Sequence, residues 1–311
     1  MKIAVLGATG SIGSPTSYYL AVQKLADEIL MIGGKRQNVL QQLEMDIATA
    51  VSSLDVVVRA GDYEDLPGTD IVINAAAPHA KVVLADRNEM LRPNITHVRD
   101  ITLKIKQHCA DAIIINVNNP IEPLNYVSYL AGEFDRKKVI GYSANDSFRF
   151  RELIAAEYGV KTSQVEGLVI GEHGSTQVLL FSSVRIDGKP VVADEQTKKR
   201  IKGEIPKIFR KLEDLKAGRT AGYTCAVGIA ATVKAIKDDT GQMLPCSDIH
   251  RGEYGYDNLS MTVPATVGKE GIKDVQQWRI APDEEAELAM SAATIQSSTA
   301  IVEEILGKAG E

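Results

Sequence analysis

The chain begins with a short apolar run, Lys2–Leu6, that leads directly into the glycine-rich segment GATGSIG. Glycines at this spacing let the backbone turn tightly and approach a ligand, and the unpaired N–H groups at the start of the following helix attract phosphate. A strand, this glycine pattern and a helix in succession predict a dinucleotide site, with a purely structural turn as the alternative. The predicted phosphate-binding residues are Gly7, Gly10, Ser11, Ile12 and Gly13.

Short apolar runs then alternate with segments of helical periodicity, which indicates βαβ units and a parallel sheet. Unbroken runs such as Ile113–Ile115 are typical of strands buried on both faces. The predicted strands are Lys2–Leu6, Glu28–Ile32, Asp55–Arg59, Asp70–Ala75, Ala112–Val117 and Lys138–Gly141, and the predicted helices are Ser11–Lys24, Val39–Ala50, Asp86–Cys109 and Ile121–Ala131. We therefore expect an α/β domain with a doubly wound parallel sheet, the Rossmann fold, over residues 1–144.

Beyond residue 144 the pattern changes, and we expect a second, α+β substrate domain over residues 145–311. Helices are predicted near Asp146–Tyr158, Asp194–Leu215 and Gly222–Asp238, strands near Gln164–Val169 and Gln177–Ile186, and a final helix from Pro282. Proline followed by acidic residues is typical of the start of a helix. No low-complexity linker separates the two halves, so an extensive interface between them is expected.

Composition favours a globular protein that acts on a small molecule. The 311 residues are 44% apolar, enough for a large core, and the net charge of −6 is spread without a basic block for nucleic acid or a membrane surface. The three cysteines lie far apart, so neither disulfides nor a metal site are expected. The N-terminus does not resemble a signal peptide and no apolar run could span a bilayer, so we expect a cytoplasmic protein.

The end of the second predicted strand bears on the choice of cofactor. An NAD site usually places an acidic residue here to bind the ribose 2′-hydroxyl, and that acid would repel a 2′-phosphate. This chain has Gly33 instead, followed closely by Lys35 and Arg36, which could pair with a phosphate. We therefore predict that NADP is used at least as well as NAD, unless Lys35 and Arg36 are ordinary solvated charges.

A histidine, an aspartate and an arginine indicate the chemistry. Asp146 and Arg149 are three residues apart at the start of a predicted helix, and His173 stands in the segment GEHG. Asn119, before Pro120, is expected at the end of a strand, and all four residues are expected at the carboxyl edge of the sheet. Each residue also has a structural explanation, as a turn residue, a helix cap or an ion-pair partner. The other histidines singled out, His97, His108 and His250, lack such a pattern and are expected on helix surfaces or in loops.

The segments GATGSIG, NNPIE, NDSFRFR and IGEHGS occur in the order and approximate spacing of one family. The chain resembles the lactate/malate dehydrogenases. Within that family, its sequence pattern is nearest to that of the archaeal-type malate dehydrogenases. The resemblance implies reversible hydride transfer between NAD(P) and a small 2-hydroxy acid, malate first, with a place in the tricarboxylic acid cycle and a homodimer or homotetramer. His173, held by Asp146, would exchange the proton, and Arg149 would bind the substrate carboxylate. Asn119 would contact the reacting oxygen or the cofactor, and Asn94 the cofactor.

The segment before residue 87 departs from the family. Arg87 matches the mobile-loop arginine by its spacing to Asn94, but the stretch from Pro78 lacks glycine and is about two residues longer than usual. His79, or Lys81 nearby, stands where the family places a basic reader of malate's second carboxylate. Lactate or another 2-hydroxy acid therefore stays open as a substrate. A nonenzymatic NADP-binding sensor is the rival, although no tyrosine has a lysine four residues later, as reductases related to such sensors would require.

Overall fold

The computed structural model describes residues 1–78, 87–217 and 221–307, without the side chains of residues 87–90, 209 and 213. In the first half of the described chain, apolar runs form strands and the segments of helical periodicity form helices between them, as predicted. In chain order these elements are β1 (Lys2–Leu6), α1 (Gly13–Val22), β2 (Glu28–Ile32), α2 (Gln37–Ala50), β3 (Val57–Gly61), β4 (Ile71–Asn74), α3 (Arg87–Cys109), β5 (Ile113–Asn116), α4 (Ile121–Gly132) and β6 (Val139–Tyr142).

These six strands are parallel and lie in the order β3-β2-β1-β4-β5-β6. Side chains alternate along β1: Ile3 and Val5 pack in one core with α1 and α2, whereas Ala4 and Leu6 pack in another with α3. Helices therefore cover both faces, which confirms the doubly wound sheet. In such a sheet the direction of winding reverses between β1 and β4, and ligands bind beyond the carboxyl ends of the strands at that point.

The second half consists of α5 (Ala144–Tyr158), β7 (Val165–Glu166), β8 (Val169–Ile170), β9 (Val178–Leu179), β10 (Arg185–Ile186), β11 (Lys189–Pro190), α6 (Glu195–Asp214), α7 (Gly222–Lys237), β12 (Gln242–Arg251), β13 (Asp257–Gly268), β14 (Gly271–Val275) and α8 (Pro282–Leu306). β12 pairs antiparallel with β6, where Cys246 lies opposite Tyr142, and β13 and β14 continue the sheet to nine strands. The two halves thus share one sheet.

Two strands predicted in the second half are wrong as continuous elements. The segment Gln164–Val169 is divided between β7 and β8, and Gln177–Ile186 between β9 and β10. A 3₁₀ turn at Phe181–Ser183 interrupts the second segment, because Phe181 packs edge-on against Phe150 with ring centroids 5.1 Å apart. The short strands pair in two small sheets, β8 with β9 and β7 with β10.

Candidate active site

The glycine loop lies at the carboxyl end of β1, next to β4. Gly7 has a φ of +74°, and a Cβ at this position would lie 2.6 Å from the carbonyl oxygen of Ala75. A Cβ at Gly10 would lie 3.1 Å from the carbonyl oxygen of Gly7, closer than an ordinary van der Waals contact. Glycine at both positions therefore lets the chain turn tightly into α1, whose first N–H groups could bind a pyrophosphate. The remaining predicted loop residues, which lead into α1, are Ser11, Ile12 and Gly13.

The residues predicted to read the ribose are adjacent to this loop. Gly33 directly follows β2 and is half-buried, while Lys35 and Arg36 are exposed. The Arg36 guanidinium donates to the backbone carbonyl of Thr9 at 2.8 Å and to its hydroxyl at 3.3 Å. The structure thus brings a positive charge beside the turn that contains GATG.

The two asparagines lie together at the end of β5. Asn119 was expected at the end of a strand but lies three residues beyond β5, exposed, in a cis peptide bond with Pro120. Asn94, on α3, is buried, and its side-chain amide donates to the Asn119 carbonyl at 3.0 Å. Asn94 therefore contacts the backbone of the loop that presents Asn119.

Asp146 connects the histidine to the arginine. It lies in the first turn of α5 and is buried, with 3% of its side chain exposed. One carboxylate oxygen lies 2.5 Å from Nδ1 of His173, and the other accepts from the Arg149 guanidinium at 2.8 Å. His173 and Arg149 are 20% and 15% exposed. Because the carboxylate holds Nδ1, Nε2 is the ring nitrogen left to exchange a proton with a ligand.

The charges of this group support one another. Burial opposes protonation of His173, but the Asp146 carboxylate, with a smaller contribution from Glu122, raises the pKa of the imidazole above its ordinary value. Burial likewise opposes ionisation of Asp146, yet His173 and Arg149 hold the pKa of that carboxyl below its usual range. An ionised aspartate beside a protonated histidine is the arrangement that a proton donor requires.

The loop that carries His173 is fixed by three residues for which no role is predicted above. Glu122, on α4, accepts from the His173 backbone N–H at 3.0 Å, and Ser291, on α8, accepts from the Glu172 backbone N–H at 2.7 Å. Thr262, on β13, exchanges backbone hydrogen bonds with Gly171. Only Glu122 left a trace in the sequence: it is an acidic residue in NNPIE, at the start of an otherwise apolar helix.

Other predicted residues fall elsewhere. His79 and Lys81 lie outside the described residues, and so does the side chain of Arg87, the first residue of α3. His97 and His108 are half-buried on α3. The expectation for His250 is wrong: it lies in β12, an inner strand of the sheet with β6 on one side and β13 on the other, and is 0% exposed.

Two features are absent from the described ranges of the chain. No helix there is both long and apolar enough to cross a membrane. No three histidine, cysteine or acidic side chains in those ranges are grouped as ligands of a metal ion would be.

The chain is similar to known proteins over nearly its whole length. Residues 1–141 match the family model of the lactate/malate dehydrogenase NAD binding domain, and residues 145–305 that of the lactate/malate dehydrogenase alpha/beta C-terminal domain. A malate dehydrogenase of Natronomonas pharaonis is 33% identical over 296 residues, which cover 94% of this chain and 96% of the relative.

Solved structures agree with the sequence comparison. The malate dehydrogenase of Aeropyrum pernix superposes with a TM-score of 0.88 at 29% identity, covering 96% of this chain and 97% of that one. The lactate dehydrogenase of Cryptosporidium parvum, complexed with lactic acid and nicotinamide adenine dinucleotide, gives a TM-score of 0.90 at 26% identity, covering 97% and 98%. The chain therefore belongs to the lactate/malate dehydrogenase family: it has an NAD-binding domain and is a dehydrogenase of small 2-hydroxy acids.

Proposed function

We propose that this protein interconverts malate and oxaloacetate, and that His173, Asp146 and Arg149 form the centre of the site. The observation that carries this proposal is the position of Asp146, whose two carboxylate oxygens lie 2.5 Å from His173 and 2.8 Å from Arg149. This contact supports the pairing of a proton donor with a binder of carboxylates. Malate dehydrogenases, such as that of Natronomonas pharaonis, are among the relatives that match nearly the full length, which favours malate over other 2-hydroxy acids.

In the direction of keto-acid reduction, His173 gives a proton from Nε2 to the carbonyl oxygen. Asp146 keeps the opposite ring nitrogen protonated and stabilises the charged imidazole before transfer. A nicotinamide cofactor, when bound, would supply the hydride to the carbonyl carbon. In the oxidation of the hydroxy acid, His173 takes the proton back.

The remaining residues bind and orient the substrate. Arg149 offers a planar guanidinium to the carboxylate next to the reacting carbon. Asn119 contacts the reacting oxygen or the cofactor, and Asn94 holds the loop on which it stands. Arg87 stabilises the developing alkoxide, and His79 reads the second carboxylate of malate.

For the cofactor, we propose that Gly7, Gly10, Ser11, Ile12 and Gly13 hold the pyrophosphate and that NADP is accepted at least as well as NAD. Two observations support NADP. Gly33 carries no charge to repel a 2′-phosphate, and Arg36 lies against the glycine loop through Thr9. Lys35, exposed beside Arg36, adds a second positive charge. We further propose a homodimer or homotetramer in the cytoplasm, with no nucleic-acid or membrane partner.

Steady-state rates with a panel of 2-keto acids, each measured with NADH and with NADPH, test both parts. We expect oxaloacetate to give the highest kcat/KM and NADPH to match or exceed NADH. The Gly33→Asp variant should lose at least about tenfold in kcat/KM with NADPH and keep its rate with NADH, because the new carboxylate repels only the 2′-phosphate. A strong preference of the unaltered enzyme for NADH would contradict the proposal for NADP.

Lactate is the second candidate. The similarity to a lactate dehydrogenase solved with lactic acid extends over nearly the whole chain. Pyruvate has no second carboxylate, so a residue that binds one contributes nothing to its binding. The two candidates therefore differ in the role of His79. Pyruvate or a bulkier keto acid as the best substrate in the panel would replace malate by this alternative.

A further inference from the structure

The carboxyl group of Glu122 contacts the loop that carries His173 but has no role in the proposed reaction. Glu122 lies in the first turn of α4 and is 1% exposed. Its Oε1 accepts from the backbone N–H of His173 at 3.0 Å and from the hydroxyl of Thr262 at 3.2 Å. Within the described ranges, Oε2 has no hydrogen-bond partner. A buried carboxyl group with an unpaired oxygen destabilises a fold unless something compensates for it.

We propose that Glu122 is a positioning residue for His173: one carboxyl oxygen fixes the backbone of the histidine, and the negative charge acts on the imidazole together with that of Asp146. This inference rests on the proposed acid–base role of His173. It assigns to α4, an element of the nucleotide-binding half, control over a proton donor in the other half.

The position of the loop does not depend on Glu122 alone. Gly171 has a φ of +84°, and a Cβ at this position would lie 2.4 Å from the hydroxyl oxygen of Ser291. That hydroxyl accepts the Glu172 backbone N–H at 2.7 Å. Ser291 and Glu122 therefore hold consecutive backbone N–H groups, but only Glu122 brings a charge. This difference makes Ser291 a matched control.

The groups near Glu122 come from three elements, and only some of them carry a charge. The groups of the described chain whose charges act on it are His173 and Glu172, both in the loop, while Thr262 on β13 and Ser291 on α8 carry no charge. His173 itself also faces Asp146 and Arg149 on α5. Burial raises the pKa of Glu122 to about 7, although His173 opposes that rise. The carboxyl group thus titrates near neutrality, and its ionised form favours protonated His173.

The scaffold of α4 is held by other contacts. One turn beyond Glu122, the Asn125 amide accepts from Asn116 on β5 at 2.9 Å and donates to the Ser260 hydroxyl on β13 at 3.0 Å. Leu124 and Val127 are fully buried on the same helix. Replacement of the Glu122 carboxylate by the amide of glutamine, which keeps an acceptor oxygen and the shape, should therefore leave the helix in place.

The experiment is a titration of His173 by NMR with ¹³C-labelled histidine in the full-length protein, with the signal assigned by its loss in His173→Asn. Glu122→Gln should lower the pKa of His173 by about one unit, because a nearby negative charge is removed. Ser291→Ala, which removes a loop contact without a change in charge, should leave that pKa unchanged. In keto-acid reduction, the decline of kcat/KM at high pH should move down by the same amount in Glu122→Gln alone.

An unchanged His173 pKa in Glu122→Gln overturns the inference. So does an equal shift in Glu122→Gln and Ser291→Ala, since both would then act through the loop geometry. The titration needs no turnover. If the unaltered protein reduces no 2-keto acid, the proposed function fails while the effect of Glu122 on His173 is still measured.

Discussion

His173 and His250 each have an aspartate nearby, yet they differ in every physical respect. His173 is partly exposed at the carboxyl edge of the sheet, and Asp146 contacts its ring at 2.5 Å. His250 is fully buried in β12, two residues after Asp248, and neither of its ring nitrogens has a hydrogen-bond partner in the described part of the chain. Asp248 is also buried, and the Arg136 guanidinium lies 3.7 Å from its carboxylate.

The pKa values of the two pairs are therefore shifted in opposite directions. At the active site, direct contact overcomes burial, so the aspartate stays ionised and the histidine gains a proton. In β12, burial lowers the pKa of His250 to about 4 and raises that of Asp248 to about 7, although Arg136 opposes the rise. The same residue types thus have pKa values shifted toward their charged forms where they touch and toward their neutral forms where they do not.

The largest expected effect separates the two histidines by activity. His173→Asn should lower kcat/KM for keto-acid reduction by about 10³-fold, because the proton donor is lost. His250→Leu fills the same buried space and should leave kcat/KM of the folded enzyme unchanged. Steady-state kinetics on both variants, with circular dichroism as the check on folding, test this. Near-normal rates in His173→Asn would remove the active-site half of the comparison.

The second prediction concerns the buried aspartate. In the folded chain the pKa of Asp248 is about 7 and its ordinary value is 3.8, so the folded state holds a proton that the unfolded state releases, and stability falls as pH rises through this window. Asp248→Asn removes that loss and should raise the free energy of unfolding at pH 8 by up to about 4 kcal/mol.

Urea denaturation at pH 8 and at pH 3.5, at one protein concentration, measures this effect. The gain should nearly disappear at the lower pH, where Asp248 is protonated in the folded state and mostly protonated in the unfolded state. A variant that is less stable than the unaltered protein at pH 8 would mean that the Arg136 contact outweighs burial.

The smallest expected effect concerns the stability of the fold at acidic pH. The pKa of His250 is lowered from 6.5 to about 4, so the unfolded state takes up a proton that the folded state refuses, and stability falls as pH drops through this window. His250→Leu should remove about 3 kcal/mol of that loss between pH 6.5 and pH 4. His108→Asn on α3 serves as the control. An identical decline in His250→Leu and the unaltered protein would contradict the buried, neutral state of His250.

Much of the nucleotide-binding half could be predicted, because its information is local. Apolar runs, glycine spacing and helical periodicity gave each strand of that half to within about two residues and located the loop at Gly7. The strands of the second half could be predicted less well from the sequence. The turn at Phe181–Ser183 forms because Phe181 meets Phe150, thirty-one positions earlier, and no local pattern records such a contact.

The sequence by itself determined which side chains the chemistry can use: a histidine, an aspartate and an arginine in recognisable segments. Tertiary structure alone decided their charge states. His173 and His250 look alike as residues, but the surroundings of each come from strands and helices distant in the chain, and a pKa depends on burial and on contacts in space. The same reason hid Glu122, whose contact with the His173 backbone spans fifty-one positions in the chain.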